Sequence, residues 1–280
     1  VRDIEDLFFS SAVAAITTAA RVQGYNVVLG HVQSSADEAV ALSEVLQAGH
    51  CDGIILLGDL RGQARLWSDL KDHQTPIVGL WQGARAPRIS VVNVDNRHGI
   101  RLALEYLVQL GHERIAFLQG GRTGDGLERR TAYVAFMRER ALAVPDRYLQ
   151  VCANELAEAA AAARRLLALD DRPTAVLAST DVVAIGALKA AWRAGLPVPA
   201  ELSIVGFDDI RLAAFAIPAL TTVRQPIEAI AERAVSQLLT LIANPNAPRR
   251  SVVIEPSLVV RESCSAPLHL ITDRRKRRLA

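Results

Sequence analysis

Asp208 and Asp209 stand directly after an apolar, β-branched run at residues 202–207, LSIVGF. A run of that kind suits a parallel strand covered on both faces. Ligands of open α/β sheets bind beyond the carboxyl ends of such strands, so two carboxylates there offer acceptors to a donor-rich ligand. The competing use of Asp208 is as N-cap of a following helix. Asp95-Asn96 poses the same choice earlier in the chain, at the opening of another helix. Catalytic constellations are sparse. The loop GGRTGDG at residues 120–126 is glycine-rich, yet it lacks both the Lys-Ser/Thr of a phosphate loop and the GxGxxG spacing. Neither a GxSxG elbow, an HExxH pair nor a CxxC pair occurs. His112 in LGHERI precedes a strand with no evident nucleophile beside it, and Cys51, Cys152 and Cys264 are too far apart for a metal cluster or a disulfide framework. No catalysis and no cofactor is expected.

Residues so scattered need a scaffold, and the chain alternates strands with helices. A helix is expected at 8–23 with Gly24 to stop it, then a strand at 25–31, a helix at 36–48, a strand at 54–57, a helix at 63–72 and strands at 77–81 and 90–94. The helix opened by Asp95-Asn96 runs to 110. A second run follows: strand 114–119, helix 127–142, strand 148–152, helix 155–169, strand 175–178, helix 181–194 and the strand before Asp208. Next comes an amphipathic helix with Ile227, Ile230, Ala231, Ala234, Leu238, Leu241 and Ile242 on one face, ended by Asn244-Pro245, and a last strand at 252–260. The fold class is therefore α/β, with two parallel doubly wound sheets in series and right-handed crossovers.

Half of the 280 residues are hydrophobic and 5% are aromatic, which suits such a fold rather than a disordered chain. No apolar run spans a membrane and no signal peptide is visible, so the reading is cytoplasmic, with no membrane partner. The formal net charge is +2, but Arg274, Arg275, Lys276, Arg277 and Arg278 supply five positive charges, which leaves the remainder acidic. A body without basic excess does not read as a nucleic-acid surface, and the tail at 264–280 is expected to be solvated and disordered.

Four segments together are similar to the LacI/GalR family of bacterial transcriptional regulators: LGHERIAFLQG (110–120), PTAVLASTDVVAIGALKAAWRAGLPVPAELSIVGFDDI (173–210), LTTVRQP (220–226) and LVVRES (258–263). The resemblance implies a two-lobed periplasmic-binding-protein-like fold of type I whose lobes are joined by three crossings and hold an effector between them. The expected lobes are 1–111 with 225–247, and 112–224 with 248–263; the first strand of the first lobe is apparently missing or reduced to Val1 and Arg2, which would leave ladder groups unpaired.

Carried over position by position, Asp208 resembles the family's acidic ligand contact. Arg129 in ERRTAY matches the arginine of its RxxGY pattern, whose fork suits a ring oxygen and a hydroxyl, or a carboxylate. Thr180 stands where the family usually has Asn, with Asp181 as the expected helix cap. Phe8 resembles the aromatic that lines the cleft, Asp3 is a polar contact before it, and Asp95 falls in the VDN segment near the cleft. Trp81 replaces a position that is often Asp, where it either stacks on a sugar ring or packs in the core; Trp67 and Trp192 are expected to be structural. The resemblance further implies a small-molecule effector of sugar type, a homodimer, and contact with operator DNA only through an N-terminal helix-turn-helix that this chain does not contain. A transport receptor of the same fold is the alternative, but the VGFDD, TTVRQP and LVVRES set resembles regulators more.

Overall fold

A computed structural model of the chain describes residues 6–30, 51–58, 75–81, 89–121 and 124–268. The chain forms two units, Val1–Val94 with Pro226–Ile254, and Asp95–Gln225 with Glu255–Ala280. The first passage between them falls after Val94 rather than after residue 111, because the helix opened by Asp95 packs within the second unit. The third falls after Ile254 rather than near residue 247.

In the first unit, helix α1 (Leu7–Val22) is capped by Asp6, whose carboxylate accepts the Phe8 N–H at 2.8 Å. It buries Phe8, Ala12, Ile16 and Ala20, one stripe at four-residue spacing. Gly24, at φ +81°, ends it: Tyr25 N–H reaches Ala20 O and Gly24 N–H reaches Arg21 O, the double bond of a Schellman turn. Strands β1 (Ile54–Leu57), β2 (Ile77–Leu80), β3 (Ser90–Val94) and β9 (Ser251–Ile254) form a parallel sheet in the order β1-β2-β3-β9. Helix α6 (Ile227–Ala243) packs on α1 and across this sheet. Residues 25–30, expected to begin a strand, are irregular: among the described residues no strand pairs with them, and Tyr25, Val27, Val28 and Leu29 are exposed. The expected helices at 36–48 and 63–72 lie outside the described residues.

The second unit holds strands β4 (Ile115–Gly120), β5 (Leu149–Cys152), β6 (Ala175–Ala178), β7 (Ser203–Asp208), β8 (Thr221–Arg224) and β10 (Ser257–Val259), ordered β10-β8-β7-β6-β4-β5. All pairs are parallel except β10 with β8. Helices α2 (Asn96–Gln109) and α3 (Gly124–Glu139) pack together on one face, over a core of Ile100, Leu104, Ile115, Phe117, Tyr133 and Phe207. Helices α4 (Leu156–Leu167) and α5 (Asp181–Arg193) pack together as well. Small residues bring these two close, since a Cβ on Gly186 would lie 2.5 Å from Ala159 Cβ.

The expected strand at 252–260 is split, β9 serving the first sheet and β10 the second, with Glu255-Pro256 between. Proline has no N–H to give a ladder. The expected tail begins too early at 264. Ser265 is tied in by its N–H to Ser203 Oγ (3.1 Å) and its Oγ–H to Pro199 O (2.9 Å), while residues 269–280 lie outside the described residues.

Candidate functional site

The order β5-β4-β6-β7 places a topological switch between β4 and β6, where successive crossovers leave in opposite directions. The carboxyl ends of those strands are where a doubly wound sheet has room for a ligand. Asp208 ends β7 there. Its φ is +114° and that of Asp209 is +57°, two consecutive residues in a region that costs an L side chain of order 1–3 kcal/mol each. Asp208 does not cap the short 3-10 turn that follows; Ile210 holds that position, without a side-chain cap bond.

Instead, Asp208 Oδ1 accepts from Arg129 Nη1 at 3.2 Å and from Gln225 Nε2 at 2.7 Å. Arg129 comes from the second turn of α3 and is 2% exposed; Asp208 is 6% exposed. The guanidinium lies 3.6 Å above the Phe207 ring, donates Nε–H to Asn96 Oδ1 (2.8 Å) and donates Nη1–H to Ser179 O (2.6 Å). Asn96 in turn donates Nδ2–H to Asp125 (3.1 Å) and Glu128 (2.9 Å). Asp209 is held by Arg224 and Arg261, each at 2.6 Å.

Thr180 is itself the N-cap of α5, accepting the Val183 N–H at 3.3 Å and donating its hydroxyl to Asn154 Oδ1 at 2.6 Å. The cap expected at Asp181 is therefore misplaced by one residue. Asp181 lies in the first turn, wholly buried, where its Oδ2 accepts the Ile210 N–H (2.8 Å) and its Oδ1 the Thr222 hydroxyl (2.5 Å). Burial, and then the neighbouring Asp208 charge, push its carboxyl well above the usual carboxylate range. Asp95 caps α2 through the His98 N–H (2.8 Å).

In the first unit, Phe8 and Trp81 meet edge to face at 4.9 Å, with Phe9 in edge contact with both. Trp81 is buried at the end of β2 with φ +55°. Asp3 and Trp67 lie outside the described residues. Trp192, expected to be structural, is 73% exposed, with Lys189 Nζ 4.7 Å from its ring.

The structure thus joins Asp208 with Arg129, pairs Phe8 with Trp81, and keeps Thr180 and Asp95 at helix starts. Sequence reasoning passed over Gln225, Asn96 and Asn154. Gln225 stood inside TTVRQP and Asn96 beside Asp95, and their buried amides are the signal, since a buried amide needs partners.

His112 has the nucleophile that the sequence hid. Gly111 (φ +96°) ends α2 in another Schellman turn and delivers His112 to the interior, where Nε2 lies 2.9 Å from Ser203 Oγ and from Ser265 O, and Nδ1 lies 2.9 Å from Thr174 Oγ1. Ser203 is 0% exposed, so this Ser-His pair is sealed from any substrate and works as a clasp. Among the described residues, no helix is long and apolar enough to cross a membrane.

The family profile of the periplasmic binding protein-like domain matches residues 104–264. The chain is 31% identical over 263 residues to the HTH-type transcriptional repressor PurR of Salmonella arizonae, covering 92% of this chain and 76% of that protein. Among solved structures, the transcriptional regulator CelR in complex with cellobiose superposes with a TM-score of 0.84 at 28% identity, over 91% of this chain and 79% of that one. The lac repressor dimer bound to operator and the anti-inducer ONPF gives 0.83 at 25%, over 94% and 92%.

Proposed function

The chain belongs to the LacI/GalR family of transcriptional regulators, and on that premise we propose that its effector is a small sugar or sugar derivative and that it regulates carbohydrate-utilisation genes as a cytoplasmic homodimeric repressor. The observation that carries this reading is the joint burial of Asp208 and Arg129 at the carboxyl end of β7. A carboxylate accepts from hydroxyls and a guanidinium donates to ring and hydroxyl oxygens, and a charged hydrogen bond contributes roughly 1.5–3 kcal/mol when desolvated. Thr180 and Asp95 are further polar contacts of the second unit. Phe8 and Trp81 are the apolar contacts of the first, and Asp3 is its polar contact. The CelR complex supports a saccharide by likeness alone.

Dimerisation is supported by the segment after Asp209, where Leu212, Phe215 and Ile217 are exposed at 48%, 81% and 95%. A group of large apolar side chains so exposed suits a protein interface. Effector binding would then favour one of two states of the dimer.

Thermal unfolding of the 280-residue chain against monosaccharides, disaccharides, polyols and purines tests the effector class. Ligand at about a hundred times its dissociation constant adds roughly 2.7 kcal/mol, so a sugar is expected to raise the midpoint. A shift by purines alone, or by nothing in the panel, overturns the sugar reading. Sedimentation of Phe215→Glu tests the dimer: the variant should run as a monomer, and an unchanged dimer places the interface elsewhere.

A further inference from the structure

We propose that Asp181 is a positioning residue for the effector site: it holds the Asp208–Asp209 turn from inside the protein and ties it to the Thr180 cap, so that acceptor and cap are presented as one rigid piece. The proposal rests on the effector reading of Asp208 for its affinity arm only.

Three observations carry it. Asp208 and Asp209 both have positive φ without being glycine, so the turn needs an external hold. The hold on the backbone itself is the Ile210 N–H, the first amide after the turn, which donates to Asp181 Oδ2 in a buried bond. The second oxygen of the same carboxylate takes the Thr222 hydroxyl on β8, three residues before the Gln225 that donates to Asp208. One side chain thus bridges α5, the turn and the strand beside it.

The sheet is built around this carboxylate: a Cβ on Gly206 would collide with Asp181 Oδ1, so β7 carries a glycine where the acid enters. The outer grip, from Arg224 and Arg261, falls on the Asp209 side chain and leaves the peptide after it to Asp181. Since Asp181 directly follows Thr180, the residue that holds the turn is joined to the α5 cap by one peptide bond.

Hydrogen exchange on the full chain tests the hold without a ligand. The Ile210 amide should exchange only with the ladder amides of β7; fast exchange there in the unsubstituted protein would sink the proposal. In Asp181→Ala, Ile210 should lose its protection while the β4 and β6 amides keep theirs. In Asp181→Asn, whose amide oxygen can still accept from Ile210, protection should persist, and an Ile210 that stays protected in Asp181→Ala overturns the assignment. With an effector from the panel, Asp181→Ala should bind at least about tenfold more weakly, the scale of one buried amide left without its acceptor, and Asp181→Asn should recover most of the affinity. Equal affinity of Asp181→Ala and the parent chain refutes the role. A panel that yields no ligand for the parent chain counts against the effector reading, while Ile210 exchange still decides this one.

Discussion

The two units offer opposite chemistries. The first brings together Phe8, Phe9 and Trp81, rings in edge contact with no charge among them. The second buries an ion pair, Arg129 with Asp208, inside amide and carbonyl partners. Ring packing tolerates small shifts, because dispersion is spread over many weak contacts. A buried ion pair does not, because each charge left alone costs far more than the pair gains. The second unit should therefore respond sharply to single substitutions and the first in a graded way.

The largest effect should come from Arg129→Met, which leaves the buried Asp208 without its guanidinium and is expected to destabilise the second unit by about 3–5 kcal/mol. Denaturant unfolding should register this, and the double variant Arg129→Met, Asp208→Leu should recover part of the loss. Trp81→Ala should cost the first unit about 3 kcal/mol through the cavity left beside Phe8 and Phe9, with amide exchange in β4, β6 and β7 unaffected. Were Trp81→Ala to strip protection from the second unit, the two would not be energetically separate. His112→Ala removes one hydrogen bond from each of the Thr174 and Ser203 hydroxyls and one from the Ser265 carbonyl, and should cost about 1–3 kcal/mol, read as earlier exchange in the segment around Ser265.

A further effect is in pH dependence. Burial raises the Asp181 carboxyl well above its unfolded value, so the unfolded chain releases this proton at lower pH than the folded one. The stability tied to that proton is whole below the unfolded value and is lost as pH rises through the folded value. Asp181→Asn should flatten this fall in a stability profile taken at rising pH; an unchanged slope would mean that another group is responsible.

The contrast also governs what could be read from sequence. Strands β4, β6 and β7 were legible because a parallel strand covered on both faces is a continuous apolar run, as in IAFL, AVLA and SIVGF. The end of α1 was legible through Gly24, whose left-handed backbone marks a Schellman stop. Residues 25–30 have the same apolar look yet are irregular, because a strand is defined by its neighbour and local pattern does not report neighbours. The split at Glu255-Pro256 escaped for the same reason. At the site, residue type pointed to Asp208, and the family likeness to Arg129. Gln225 and Asn96 went unread because an amide becomes informative only once its burial is known, and Asp181 was taken for a cap because Asp is a favoured residue at a helix start.

Both units are finished by residues far from those they pair with. The first sheet needs β9 on β3, and the second needs β10 on β8 together with the backbone bond from Ile204 N–H to Ser263 O. A ribosome that has reached residue 250 has therefore completed neither sheet. The nascent chain must carry the exposed edges of β3 and β8 until β9 and β10 emerge. Contacts of such long sequence separation form slowly, so the nascent chain is open to chaperones and to aggregation until β9 and β10 have emerged.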